Sequence, residues 1–424
     1  MRIAFISEHA SPLAPLGGAD QGGQNVYVAE LSRHLGQLGF LVDIFTRRDD
    51  PALPERVPLA PNVTVVHIAA GPPEPIPKDH LFPLMPAMVE GIDRVAAATG
   101  GYALLHSHFW MSGWVGCVLR RRWRVPLVQT FHALGVTKRR HQGAADTSPL
   151  ERIPTERQIV RQADCIIATA PHEVEELARD YWADRAKITV VPCGVDTTHF
   201  RPQPAGAARQ RLGLPLDRLI LLYVGRVLPR KGIDTILLAL DRLPRDLRSR
   251  VLGLVVGGAA DATDPLADPE VARLHALAWA LGLSDQVRFT GWRPRAVLPD
   301  YFAAADVVVT TPWYEPFGMV PLEAMACGRP VVAAAVGGLA FSVVHEETGL
   351  LVPPRDPAAL AVALTRLFRQ PDLGRRLGAA GRARVVQHFR WPVIARRVAA
   401  VYAGLLAGTP AVLPQGAMVS REDR

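Results

Sequence analysis

Cysteine is scarce in this chain of 424 residues: Cys117, Cys165, Cys193 and Cys327 stand far apart, with no C-x-x-C pair. Disulfide frameworks and zinc sites need paired or clustered cysteines, so this pattern predicts reduced thiols and a cytoplasmic setting. Long apolar runs are missing as well. None approaches the roughly eighteen residues of a membrane-spanning helix, and the apolar run opening at Met1 is cut by Glu8 and His9, against a signal peptide. A soluble chain is expected. No solenoid-type repeat is evident. No G-x-G-x-x-G fingerprint follows the first strand, and no Asp-x-Asp pair is placed at a strand end to carry a divalent metal. Acidic residues are the minority, 40 against 48 Lys and Arg, for a formal net charge of +8. That surplus fits an arginine-rich composition, phosphorylated ligands or an anionic membrane, and by itself does not choose among them. The 49% hydrophobic content over this length is enough for two cores, and two or three domains are expected.

The stretch from Thr311 to Ala333 organises the rest. Val307, Val308 and Val309 form a short buried-type strand, and Pro312 cannot continue it. A helix is predicted over 319–326, with Pro321 tolerated in its first turn and Gly328 ending it. Pro330 to Ala333 then starts another strand. Glu315 falls in the loop before this helix and Glu323 projects from its first turns. The N–H groups around Phe317, Gly318, Met319 and Val320 face the carboxyl end of the sheet, where an anion or a sugar oxygen is favoured.

The string from Glu315 through Glu323 to Gly328-Arg329-Pro330 resembles the E-x7-E signature of the retaining GT-B glycosyltransferases of family 4. Other segments carry the same resemblance in the right order. Gly22-Gly23-Gln24-Asn25 looks like the corresponding loop of sucrose-phosphate synthases and of the mycothiol-pathway inositol-phosphate N-acetylglucosaminyltransferases. Pro192 to Phe200 resembles the family's P-x-G-V-D-x-x-x-F hinge, and Gly225 to Gly232 its G-R-x-x-x-x-K-G motif. The resemblance covers the chain to about Leu406.

The residues themselves describe two rounds of strand–helix alternation. Arg2 to Ser7 is a strand, and a loop carrying Gly17-Gly18 and Gly22-Gly23 leads to an amphipathic helix over 26–38 and a strand over 41–46. Backbone can approach a diphosphate closely at such a glycine loop. Strands over 63–68, 103–106, 126–130, 165–169 and 188–191 follow. His108 and His132 lie at strand ends, where open α/β sheets bind ligands. Lys138 to His141, with Arg152 and Arg157, reads either as a basic loop or as a wall for phosphate. The segment 202–213 is the expected linker. In the second domain Arg226 and Lys231 offer one fork and one point charge to a diphosphate.

The expected fold is α/β of the GT-B type: two Rossmann-like domains facing across a cleft, over 1–200 and 201–385, a helix over 386–407 crossing back, and a disordered tail over 408–424. The resemblance implies transfer of a hexosyl group from a nucleoside-diphosphate sugar, UDP-sugar favoured, to a small hydroxyl acceptor, with a phosphorylated one slightly favoured over an unphosphorylated one. It places Arg226, Lys231, Glu315 and His132 at the chemistry, with Glu315 on sugar hydroxyls and Glu323 on ribose. Gly22, Gly23, Arg293, Phe317, Gly318, Met319 and Val320 complete the nucleotide-sugar site, and His9, Asn25, Lys78, His108 and Arg152 the acceptor site. Phe109 and Ala133 stand where the inositol-phosphate enzymes have hydroxyl-bearing residues. No metal or cofactor is expected to be required for the chemistry, no nucleic-acid partner and no transmembrane segment. Two other outcomes stay open: a peripheral-membrane glycolipid or polysaccharide transferase, and a sugar-nucleotide-binding protein or epimerase. A glycosidase with paired carboxylates would leave Arg226 and Lys231 without work.

Overall fold

The computed structural model describes residues 1–14, 22–258 and 265–408. Gly17-Gly18 and the tail from 409 onward lie outside the described residues. The chain divides into two compact units, one running to Gly194 and resuming at Trp391, the other spanning Val195–Arg390.

The first unit holds eight strands: β1 (Arg2–Ile6), β2 (Leu41–Arg47), β3 (Arg56–Ala60), β4 (Val63–Ile68), β5 (Leu104–His108), β6 (Leu127–Thr130), β7 (Cys165–Ala168) and β8 (Ile188–Val190). Their order is β3-β4-β2-β1-β5-β6-β7-β8, and every pairing is parallel except β3 with β4. Strand order reverses between β1 and β5, which makes their carboxyl ends the natural ligand crevice. The sequence reading missed β3. Pro58 lies inside it, which is allowed only because β3 is an edge strand.

Helices cover the sheet. The helix Met85–Thr99, unforeseen beyond the proline-rich loop, buries Met85, Met88, Val89, Ile92 and Ala96 at helical spacing. They join Ile6, Phe45, Val66, Leu105 and Phe131 in one apolar core. The terminal helix Trp391–Leu406 packs on the helix Gly23–Gln37, with Trp391 edge-on to Tyr27 at 5.7 Å and Tyr402 edge-on to Phe40 at 6.1 Å. Gly194 makes this possible, because a methyl group there would lie 2.4 Å from the Trp391 ring.

The second unit has six parallel strands: β9 (Leu219–Val224), β10 (Val251–Val256), β11 (Val287–Gly291), β12 (Val307–Thr310), β13 (Val331–Ala334) and β14 (Leu350–Val352). Their order is β11-β10-β9-β12-β13-β14, reversing between β9 and β12. Its core is apolar and largely aliphatic, from Leu221, Ile236, Leu240, Val255, Val309 and Leu364.

Two expectations change. The presumed linker 202–213 carries the helix Ala205–Arg211, packed on Leu298–Ala304. Its Arg209 is buried and donates to the Ala304, Leu216 and Arg218 carbonyls and to Asp306 at 2.7–3.1 Å. The basic stretch after His132 is the helix Gly135–Gln142 rather than a loop.

Candidate active site

In the first unit the carboxyl ends of β1, β5 and β6 gather His9, His108 and His132. His132 holds φ at +60°, and its Nε2 lies 3.1 Å from Nδ1 of His108. His108 stacks obliquely on His106 at 4.2 Å, and His106 is bound by Tyr402 Oη at 2.6 Å and Thr130 Oγ1 at 2.9 Å. Burial drives all three imidazoles toward the neutral form, reinforced by their neighbours, and brings His132 down to about 3. Neutral imidazoles accept as well as donate, which suits hydroxyl ligands.

His9 is oriented by a residue the sequence reading passed over. Glu8 is buried, takes His9 Nδ1 at 2.7 Å on one oxygen, and accepts from Ser112 Oγ on the other. That fixes the imidazole edge-on to Phe109, 4.9 Å between ring centroids.

Asn25 and Arg152 were expected to meet the acceptor, yet both bind within the protein. Asn25 accepts from Gly22 N at 2.9 Å and donates to Ser11 O at 3.0 Å, closing the start of its own helix. Arg152 is buried over the face of Phe109. It donates to Glu156 at 2.9 Å, Ser148 Oγ at 3.2 Å and the Ala133 carbonyl at 2.8 Å. Glu156 in turn receives Gly135 N and Tyr181 Oη. This network ties the turn after His132 to the helix Arg152–Gln162.

The basic helix is similarly engaged. Lys138 and Arg139 reach Asp146, and Arg140 reaches Asp180. Lys78 opens a 3-10 turn, Lys78–His80, whose Asp79 accepts from Thr147 at 2.6 Å. At Gly22 a methyl group would meet no described atom within 4 Å, so packing among the described residues does not require glycine there.

The second unit builds its site where β9 and β12 end. Gly225 leads into Arg226, which is exposed and whose carbonyl accepts from Tyr223 Oη at 2.8 Å. Lys231 closes a 3-10 turn, Pro229–Lys231, and Gly232 follows at φ +67°. A side chain at Gly232 would drive its Cβ to 2.1 Å from the Thr311 carbonyl, while Thr311 Oγ1 donates to Gly232 O at 2.9 Å. The β9 turn and the β12 turn thus lock together, backbone to backbone, and Lys231 Nζ binds Glu315 directly.

The loop before Glu315 is also fixed by aromatic faces. Arg355 stacks on Trp313 at 3.9 Å, and Arg230 lies over Tyr314 at 5.3 Å. Burial would raise the Glu315 pKa, but Lys231, Arg230 and Arg226 outweigh it and hold the carboxyl below its ordinary range. Gly318 then turns the chain into the helix Met319–Ala326. Its first N–H groups, with those of Phe317 and Gly318, have no carbonyl of a preceding turn to bind.

Glu323 is buried inside that helix and pairs with Arg295 at 2.9 Å. Arg293, the arginine named from sequence, instead binds Tyr301 Oη at 3.1 Å and the Trp292 carbonyl at 2.9 Å. Two arginines follow β11 in quick succession, and only packing separates them. Among the described residues no group of three or more His, Cys, Asp or Glu is placed to hold a metal.

Residues 21–199 match the model of glycosyltransferase family 4, and residues 206–384 that of glycosyl transferases group 1. D-inositol 3-phosphate glycosyltransferase of Streptomyces bingchenggensis is 44% identical, covering 96% of this chain and 90% of its own. The Streptomyces coelicolor enzyme of that name is 43% identical over 95% of this chain and 91% of its own. The chain belongs to the family 4 glycosyltransferases. Among solved structures, sucrose-phosphate synthase from Thermosynechococcus elongatus superposes on this glycosyltransferase with a TM-score of 0.88 and 40% identity, covering 96% of this chain and all of that one. The two parallel-sheet, Rossmann-like units are those of the GT-B class. No helix among the described residues of this glycosyltransferase is long and apolar enough to cross a membrane.

Proposed function

We propose that this glycosyltransferase moves a hexosyl group from a nucleoside-diphosphate sugar, UDP-sugar favoured, to a small phosphorylated hydroxyl acceptor, with retention at the anomeric carbon. The observation that carries the reading is the Lys231–Glu315 pair at the start of the helix Met319–Ala326. A departing diphosphate needs positive charge and N–H donors fixed before it forms. Lys231, Arg226 and that helix start supply both. Glu315, held ionised, accepts from sugar hydroxyls, so it is not the nucleophile. The leaving phosphate takes the acceptor proton, and the neutral His132 binds beside the donor sugar.

The first unit takes the acceptor. His9, aimed by Glu8, and Lys78 contact it, while Arg152 positions the Ala133 carbonyl and the turn that bears His132. The relatives' acceptor, named as inositol 3-phosphate, and the sugar phosphate named in sucrose-phosphate synthase support a phosphorylated partner. The test crosses UDP-, GDP- and ADP-sugars with inositol phosphate, fructose 6-phosphate and their unphosphorylated forms. Product anomers are read by NMR. A phosphorylated product of unchanged anomeric configuration is expected. An epimerised donor, or binding without transfer, overturns the proposal. Because the anion is met by side-chain and helix charge, turnover is expected to survive exhaustive chelation. Loss restored only by magnesium or manganese would refute that part.

A further inference from the structure

Glu323 presents a chemical difficulty that its own helix does not solve. To hold the two hydroxyls of a ribose it must accept, and so must stay ionised. It is only 4% exposed, and burial raises its pKa by more than Arg295 and His199 lower it. A protonated Glu323 would turn one oxygen from acceptor into donor.

Three groups face this carboxylate. Arg295 comes from the turn after β11, His199 from the segment entering the second unit, and Cys327 lies one turn on, at the end of the same helix. Only Arg295 is a permanent cation, and it reaches Oε1 at 2.9 Å. Arg295 is itself gripped from the other side. Its guanidinium lies over the Phe200 ring at 4.8 Å, and its carbonyl is bound by His199 Nε2 at 3.0 Å. Those two residues are presented by a tight turn in which Asp196 accepts from Thr198 N, Thr198 Oγ1 and His199 N at 2.6–3.1 Å. The segment 192–200, which resembled an interdomain hinge, therefore ends in a bracket for one arginine.

We infer that Arg295 is a positioning residue for the donor nucleotide: it occupies one oxygen of Glu323, favours the charged form of the carboxylate, and leaves the other oxygen to the ribose. The turn from Asp196 to Phe200 sets Arg295 in place. This rests on the reading of Glu323 as the ribose ligand. Discrimination between ribose and deoxyribose thus depends on a residue outside the E-x7-E string.

The experiment measures calorimetric affinity for whichever of UDP, GDP and ADP binds, each against its 2′-deoxy form, from mildly alkaline to mildly acidic pH. Wild type, Glu323→Gln, Arg295→Met, Arg295→Lys and Phe200→Leu are compared, with thermal melting as the folding control. Wild type prefers the ribonucleotide and Glu323→Gln loses that preference. Arg295→Met loses about tenfold of it, as deletion of a hydrogen bond to a charged group does. In that variant the remaining preference vanishes at a higher pH than in wild type, because Glu323 protonates earlier as pH falls. Arg295→Lys restores the pH profile, and Phe200→Leu shifts it part of the way. A merely structural role would lower affinity for both nucleotides alike and leave the profile unmoved. If wild type binds ribo and deoxy forms equally, the ribose reading falls, and the inference with it. If wild type and Glu323→Gln behave as stated but a folded Arg295→Met keeps the wild-type ratio and profile, the inference alone falls.

Discussion

The two units solve opposite electrostatic problems with the same kind of sheet. At the carboxyl ends of the first sheet, charge is cancelled internally: Arg152 by Glu156, Lys138 and Arg139 by Asp146, Arg140 by Asp180. Burial there also strips the charge from three histidines. At the carboxyl ends of the second sheet, positive charge is accumulated around Glu315 by Lys231, Arg230 and Arg226. One surface suits hydroxyls, with any phosphate met by few groups; the other suits a diphosphate. Backbone contact fixes the second, whereas side-chain networks fix the first. The first should therefore be the more easily retuned.

The contrast is broken most severely at Lys231. Lys231→Ala removes charge that acts on the transition state, and kcat should fall about a hundredfold or more with the fold intact. Steady-state kinetics beside a melting curve checks this, and near wild-type turnover would end the diphosphate assignment. In the first unit the largest effect should fall on stability. Arg152→Ala leaves Glu156 buried without its cation, and loss of one partner of a buried pair costs roughly 3–5 kcal/mol. Denaturant unfolding should show that loss, whereas Lys78→Ala should raise acceptor KM. Equal denaturant midpoints for Arg152→Ala and wild type would refute the network.

A pH titration sharpens the same comparison. His106, His108, His132 and His172 have folded pKa values below their unfolded ones, so the unfolded chain binds more protons between those values. Stability of the first unit is then lost as pH falls below about 6.5. Glu173, raised by burial to about 7, and Glu176 act in the opposite sense, since the folded state keeps their protons longer as pH rises. Four imidazoles outweigh two carboxyls, and calorimetric melting of the first unit should weaken on acidification. His106→Gln should flatten that slope; an unchanged slope would place the acid sensitivity elsewhere. The smallest effect expected is at the Trp313–Arg355 stack. An exposed cation–π contact contributes about 0.5–1 kcal/mol. Arg355→Ala should slow turnover roughly two- to fivefold by loosening the loop before Glu315, with Arg355→Lys recovering part of it.

The same contrast explains how much could be read in advance. The second site is concentrated in two short strings of sequence. Glycine at 232 is demanded by backbone approach, and Lys231 before it and Glu315 to Glu323 stand in strings whose resemblance to the family's motifs, more than their spacing, exposes them. Strands β9, β12 and β13 were legible as short apolar runs. The first site is assembled from five separate loops. No local pattern says that Arg152 turns inward to Glu156 and Ala133, that Asn25 closes its own helix, or that Glu8 aims His9. Arg293 and Arg295 are alike in sequence, and only the Phe200 ring and the buried Glu323 choose between them. Strand β14, three residues long, and β3, with a proline inside it, gave too little periodicity to be seen.

Trp391 against Gly194, and Tyr402 against His106 across 296 positions of chain, carry a consequence for synthesis. Emerging from a ribosome, the second unit arrives whole and in one piece. The first unit is made earlier, yet must wait for its last helix. At about 5–20 residues per second that delay is on the order of ten seconds or more. Throughout it, the apolar groove along Tyr27 and Phe40 is bare. The packing of the first unit is complete only once the last helix has been made. A chain stalled or cut shortly before Trp391 would release a finished second unit joined to an unfinished first one, which gives chaperones and proteases a defined window in which to act.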